Sequence, residues 1–242
     1  MLVLSPSDFF DLTNFRYADI FEDCEYVWEP IGKIHEYVVR ELANNGGSCL
    51  GAHIWPGAQI VDPEAISIGE GTIVEAGAFI AGPAVIGRNC EIRQGAYIRG
   101  DVLIGDNAVV GHTTEIKNSI LLNHAAAPHF AYIGDSILGA HVNLGAGTKL
   151  SNLPVVSVKD EQTGERPTIK LRINGHIMDT GLSKFGAIIG DHAQTGCNAV
   201  TNPGCIIGPR TLVYPNISLK KGYYPADKII KLSQQTEMVA RE

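Results

Sequence analysis

Positive charge is scarce in this chain. Its 242 residues carry 19 lysines and arginines against 26 aspartates and glutamates, a formal net charge of −7. With no basic excess and no basic stripe, the electrostatic footprint that binds nucleic acid is missing, and any positive charge that matters must be local. Paired cysteines are lacking as well. Cys24, Cys49, Cys90, Cys197 and Cys205 show no paired-ligand spacing, and an odd number leaves at least one thiol outside any intramolecular disulfide scheme. A reducing, cytoplasmic setting is the expectation. No apolar run approaches the length needed to span a bilayer, and Met1–Phe10 lacks a basic leader followed by an apolar stretch, so a soluble, unexported protein without a membrane partner is expected. The 45% of hydrophobic residues allows one large core and gives no sign of disorder.

What the sequence does have is a repeat. Branched aliphatics or leucine recur every six residues at Ile68, Val74, Ile80, Ile86, Ile92, Ile98, Ile104, Val110, Ile116 and Leu122. Four positions after each comes a smaller residue, running from Thr72, Ala78 and Ala84 to Ile120 and Ala126, which reads as a second inward position. Gly, Asn or Asp recurs between them, as in Ile104-Gly105-Asp106-Asn107, supplying turn chemistry once per hexad. The register is expected to slip around His129 and to resume at Ile133, Leu138, Leu144 and Leu150, returning late from Ile189 to Leu219. A period of six excludes a single amphipathic helix. It predicts a short strand and a tight turn per hexad, with three hexads per coil of a parallel β-helix.

Residues 1–48 read as an N-terminal cap, in which Ile31, Ile34, Val38, Val39 and Leu42 at helical spacing ahead of Asn44-Asn45-Gly46-Gly47 predict a helix over the first coil. The aromatic stretch before it, from Phe9 to Trp28, reads as part of the same end cap. Residues 49–222 form the β-helix and 223–242 a C-terminal tail with helical potential. The excursion at 153–183 contains Ile169, Leu171 and Ile173 in alternation ahead of Asn174-Gly175, the mark of a β-hairpin that could wall a cleft or grip a neighbouring subunit.

A solenoid carries function where its pattern breaks. The stretch around the first expected break resembles the acetyltransferase half of the bacterial bifunctional enzyme that makes UDP-N-acetylglucosamine. It resembles still more the archaeal sugar-phosphate nucleotidyltransferase relatives of that enzyme. The matching stretches are Ile92-Arg93-Gln94-Gly95-Ala96, Glu115-Ile116-Lys117-Asn118, His129-Phe130-Ala131-Tyr132-Ile133-Gly134-Asp135, Val142-Asn143-Leu144-Gly145-Ala146-Gly147-Thr148 and Lys184-Phe185-Gly186-Ala187-Ile188-Ile189-Gly190-Asp191. The resemblance implies a left-handed β-helix, a homotrimer, and acetyl transfer from acetyl coenzyme A to the amine of glucosamine-1-phosphate or a similar amino-sugar phosphate. It further implies His129 as general base, Arg93, Lys117, Tyr132, Asn143, Asn152 and Lys184 as substrate-binding residues, and Ala146 and Cys197 against acetyl coenzyme A. The nucleotidyltransferase domain of those relatives, with its Gly-x-Gly-Thr-Arg loop, has no counterpart here, which argues against uridylyl transfer by this chain.

The chemistry asks for such groups on its own account. Attack of an amine on a thioester needs a base poised near the working pH, phosphate needs fixed cations, and neither a metal nor a covalent intermediate is required. Plainer roles stand beside each assignment: His129 as a turn histidine, Arg93, Lys117 and Lys184 as solvated charge, Asn143 and Asn152 as turn residues, and Cys197 as a small packing residue rather than a nucleophile. Competing functions are acyl transfer to a nucleotide-linked sugar and a non-catalytic sugar-nucleotide-binding scaffold. A further alternative is a γ-type carbonic anhydrase, for which His124-x4-His129 has the paired spacing and Arg99-Gly100-Asp101 the matching tripeptide.

Overall fold

A computed structural model describes residues 4–233. The chain winds as a left-handed parallel β-helix whose three faces are parallel sheets of nine, eight and eight short strands, with one separate two-stranded hairpin. The first face runs from His53–Ile54 to Ile229–Ile230, the second from Gln59–Val61 to Ser218–Leu219, and the third from Ile66–Ile68 to Gly222–Tyr224. Successive coils lie about 4.8 Å apart, the spacing of hydrogen-bonded strands. Inside, the hexad aliphatics stack in ladders: Val74, Ile92 and Val110 on the first face, Ile80, Ile98, Ile116 and Ile133 on the second, Ile68, Ile86 and Ile104 on the third, all essentially inaccessible to solvent. Each such burial is worth roughly 1.5–3 kcal/mol. The corners turn through left-handed residues, among them Asn89, Asn107, Asn118 and Asp135, the side chains that accept positive φ most readily after glycine.

The expected slip at His129 lies elsewhere. The second-face strand Glu115–Lys117 joins the third-face strand Ser119–Leu121 through Asn118 alone, at φ 41°. That turn is one residue shorter than its hexad, so the ladder passes from Ile104 to Leu121 rather than to Leu122. Ile120 and Leu122 therefore face outward, and Ala125 rather than Ala126 turns inward. His129 ends a strand, Ala126–His129, that stays in register with Val109–His112 before it.

The N-terminal segment covers a flank of the column, not its end. The outward side chains of the third face, Val85, Leu103, Ile120, Ile137, Ile188 and Ile206, are buried in a second core with Phe9, Phe10, Phe15, Trp28 and Ile34. Helix α1 (Ile34–Asn45) lies over the strands Ala84–Ile86 and Val102–Ile104, while Phe9 reaches Tyr223 at the far end with ring centroids 6.1 Å apart. The first coil, predicted to lie under the helix, leaves Leu50 and Ile54 exposed. The predicted hairpin forms from Lys170–Ile173 and His176–Asp179, and it buries Ile169, Leu171 and Ile173 in this second core, against its own chain. Of the tail, residues 223–233 contribute to the strands Gly222–Tyr224 and Ile229–Ile230 instead of a helix, and 234–242 lie outside the described residues.

Candidate active site at two corners of the column

The second corner, between the second and third faces, gathers a polar cluster around Asp135. This carboxylate is buried, with a left-handed backbone at φ 48°. It accepts hydrogen bonds from Lys117 Nζ at 3.0 and 3.4 Å, from Asn118 Nδ2 at 2.8 Å and from Asn152 Nδ2. Tyr132 closes the cluster by donating its hydroxyl to Asn152 Oδ1 at 3.3 Å. Burial, followed by the charges of Glu115 and Asp135, pushes the Tyr132 phenol up, so it stays protonated and a donor. The 17-residue coils explain the gathering, since Asn118, Asp135 and Asn152 fall at the same corner of three successive coils and stack at strand spacing, with Lys117 one residue before Asn118.

The same stacking brings in a residue that the sequence placed only in the anhydrase tripeptide. Arg99 follows Ile98, which pairs with Ile116, so it lies one coil before Lys117 on the same edge, 18 residues back. Its Nη1 meets Glu115 Oε1 at 2.6 Å, and that hydrogen bond holds the guanidinium above its usual range. The 18-residue coil length was the signal that could have found it. Lys184 stands nearby, because Phe185 N–H donates to the Asn152 carbonyl. With Lys159 and Arg166 it lines a cleft of about 500 Å³ under the excursion. Beside it, from Ser151 and Leu153 down to Lys220 and Lys221, runs an apolar groove of about 760 Å³ walled by Val155, Val156, Pro167 and Ile169.

The remaining predicted residues sit at the first corner, across the second face. His129 is exposed at the end of its strand, next to His112 in the coil before. Arg93 lies two coils before His129, about 10 Å by strand spacing, and is held by Glu91 through Nε at 2.9 Å and Nη2 at 2.7 Å. Ala146 and Cys197 occupy this corner in the next two coils, linked by Asn198 N–H to the Ala146 carbonyl at 2.8 Å; Cys197 is exposed, and Asn143 projects outward from the first face. Within one chain, therefore, Lys117, Tyr132, Asn152 and Lys184 come together, and His129 with Arg93, Ala146 and Cys197 forms a separate group. His124 stands at the third corner, at the opposite end of the first face from His129, so the His124-x4-His129 pair of the anhydrase alternative does not converge within the chain.

Comparison with known proteins places both corners in one matched region. Residues 80–170 match the family model described as the GMPPB C-terminal domain. A bifunctional sugar-1-phosphate nucleotidylyltransferase/acetyltransferase from Sulfurisphaera tokodaii is 35% identical over 96 residues, which is 40% of this chain and 22% of that protein. The bifunctional protein GlmU of Methanococcus maripaludis is 35% identical over 97 residues, 40% of this chain and 21% of that one. The chain resembles the hexapeptide-repeat acyltransferases. It spans only about a fifth of the length of these curated relatives. Among solved structures, the UDP-N-acetylglucosamine acyltransferase of Francisella novicida is 20% identical, covering 70% of this chain and 61% of that chain at a TM-score of 0.47. The hexapeptide-repeat region that matches holds Arg93, Arg99, Lys117, His129, Tyr132, Asp135, Asn143, Ala146 and Asn152, while Lys184 and Cys197 lie beyond it.

Proposed function

We propose that this chain is a coenzyme A-dependent acyltransferase acting on the amine of an amino-sugar phosphate, with acetyl coenzyme A as donor and glucosamine-1-phosphate or a close relative as acceptor. The observation that carries the reading is the Asp135 cluster, a pre-organised corner of ammonium, phenol and amide donors lying inside residues 80–170, the stretch that matches the GMPPB C-terminal domain. Such donors suit a phosphorylated sugar, with Lys117 and Arg99 toward the phosphate and Tyr132 and Asn152 toward hydroxyls. His129 takes the proton from the attacking amine, the carbonyl carbon passes through a tetrahedral adduct, and the coenzyme A thiolate leaves.

The homotrimer implied by the family resemblance suits an imidazole and a cation cluster at different corners of one chain, and we place that trimer in the cytoplasm. In the trimer, the first corner of one copy meets the second corner of the next. Ala146 and Cys197 of one copy then face the apolar groove of its neighbour, whose rim lysines Lys220 and Lys221 suit the phosphates of coenzyme A. Thiol release from acetyl coenzyme A, followed with glucosamine-1-phosphate, galactosamine-1-phosphate and UDP-linked amino sugars, tests the assignment. Turnover with a sugar phosphate and a fall of roughly 10²–10⁴ in kcat for His129→Ala are expected; full activity in that variant removes the base.

A second reading rests on the Lys117–Asp135 ion pair. A cation already neutralised at 3.0 Å also suits a column that keeps the corner as a structural brace in a sugar-nucleotide-binding scaffold. Absence of turnover with every acceptor, together with binding of a sugar nucleotide, would favour it.

A further inference from the structure

At the third corner, between the third and first faces, the left-handed position of three successive coils is filled by His124 (φ 62°), His141 (φ 58°) and His192 (φ 61°). Earlier coils place Asn89 and Asn107 there, and later ones Arg210 and Asp227. The backbone fixes the stack: His141 N–H donates to Asn123 O at 3.2 Å and His192 N–H to Ala140 O at 2.8 Å, so equivalent side chains lie one rung apart. The imidazoles stack with centroids 4.5 and 4.9 Å apart and planes within 6°.

The N-terminal strap is fastened to the residue just before the first and the last ring. Asn123 Nδ2 donates to Asn14 O at 2.8 Å. The Asp191 carboxylate accepts Asp11 N–H and Ala140 N–H, both at 2.7 Å, and Asp191 N–H donates to Phe9 O at 3.0 Å. Strap and stack together enclose a cavity of about 190 Å³ lined by Asp11, Asn14, Phe15 and the three histidines.

We infer that the histidine stack is an acid-sensitive latch on the N-terminal strap. Neutral imidazoles stack without cost, whereas imidazolium rings one rung apart repel along the whole column of three. The charged groups facing them are Asp11 from the strap, Asp191 and Asp106 from the neighbouring turns, and Arg210 on the next rung. Arg210 is tied to Asp227 by two contacts of 2.7 Å, and both oxygens of Asp191 are taken by backbone donors, so neither group is free to follow a moving ring. Burial, then His124 and His192, hold His141 below its ordinary value. A base with a lowered folded value favours the native state fully above the unfolded value, near 6.5, and loses that contribution as pH falls through the interval down to the folded value. Acidification therefore charges His141 between two imidazoles at stacking distance, forcing apart the turns that hold Phe9, Asp11 and Asn14. Opening the strap uncovers the apolar outer surface of the third face.

Hydrogen exchange on the full chain, corrected for intrinsic rates, tests this between pH 7.5 and 5.0. Amides of residues 9–15 are expected to lose at least tenfold protection in the wild type while the ladder strands stay protected. His141→Asn, which places in the stack the side chain used at Asn89 and Asn107, is expected to abolish most of that loss, and His53→Asn to leave it unchanged. Equal pH dependence in wild type and His141→Asn overturns the latch. So does simultaneous loss of protection in strap and ladder, which would mark global acid unfolding.

Discussion

Asp135 binds a lysine and two asparagines from the coils on either side of its own, and this concentration of donors on one buried carboxylate decides what each of them can do. Removing it strands the Lys117 ammonium, which is four-fifths buried, and leaves two amides without their acceptor. Asp135→Ala is expected to destabilise the protein by roughly 2–4 kcal/mol, measured by urea denaturation, with Asp135→Asn milder because asparagine keeps the left-handed turn. A loss under about 0.5 kcal/mol would show that the cluster is held from elsewhere. Little of this was legible in the sequence. Asp135 ends a Gly-Asp pair of the kind that recurs at many turns, so composition alone assigns it turn duty. Lys117, Tyr132 and Asn152 were named through resemblance, whereas Arg99 was read only into the anhydrase tripeptide, because its edge neighbour Lys117 lies 18 residues away, beyond any local motif.

At the scale of the strand and the turn, the repeat was read correctly wherever six residues make one side of the prism, and misread where Asn118 makes a side with five. Period counting carries an error forward until the next landmark, which is why Leu122 stood for Leu121. The third face held a signal of its own. Ala84-Val85-Ile86, Val102-Leu103-Ile104 and Cys205-Ile206-Ile207 are apolar on both sides of the strand, the mark of a sheet covered twice, and this face is where the strap and α1 lie. Among the described glycines the neighbouring coil presses hardest on Gly111, where an added Cβ would sit 1.8 Å from the Pro128 carbonyl oxygen. Backbone cannot yield there without shifting a rung, so Gly111→Ala is expected to cost roughly 3 kcal/mol or more, read from the denaturant midpoint. A neutral result would mean that the coils next to His129 are looser than their register implies.

For the whole molecule, the proposed trimer makes catalysis a property of the assembly, because the two corners lie apart in one chain. Mixing His129→Ala with Lys117→Ala chains in equal amounts, unfolding them and refolding them together, is expected to restore roughly a quarter of wild-type activity. In such mixed trimers some interfaces pair an intact first corner with an intact second corner. Refolded singly, each variant should stay inactive. Failure of the mixture, with trimers confirmed by sedimentation, would place the whole site within one chain.

The sequence by itself determined the column, because a six-residue spacing of branched aliphatics has one economical way to leave water and turn residues recur at the same interval. It also marked the hairpin, through strict alternation ahead of Asn174-Gly175. Only the tertiary structure decided where the N-terminal aromatics lie, which residues share a corner, and that three histidines stack. Those are contacts between points from 17 residues apart, as in the histidine stack, to 214 apart, as between Phe9 and Tyr223, fixed by the number of residues in each coil and by which face was left apolar.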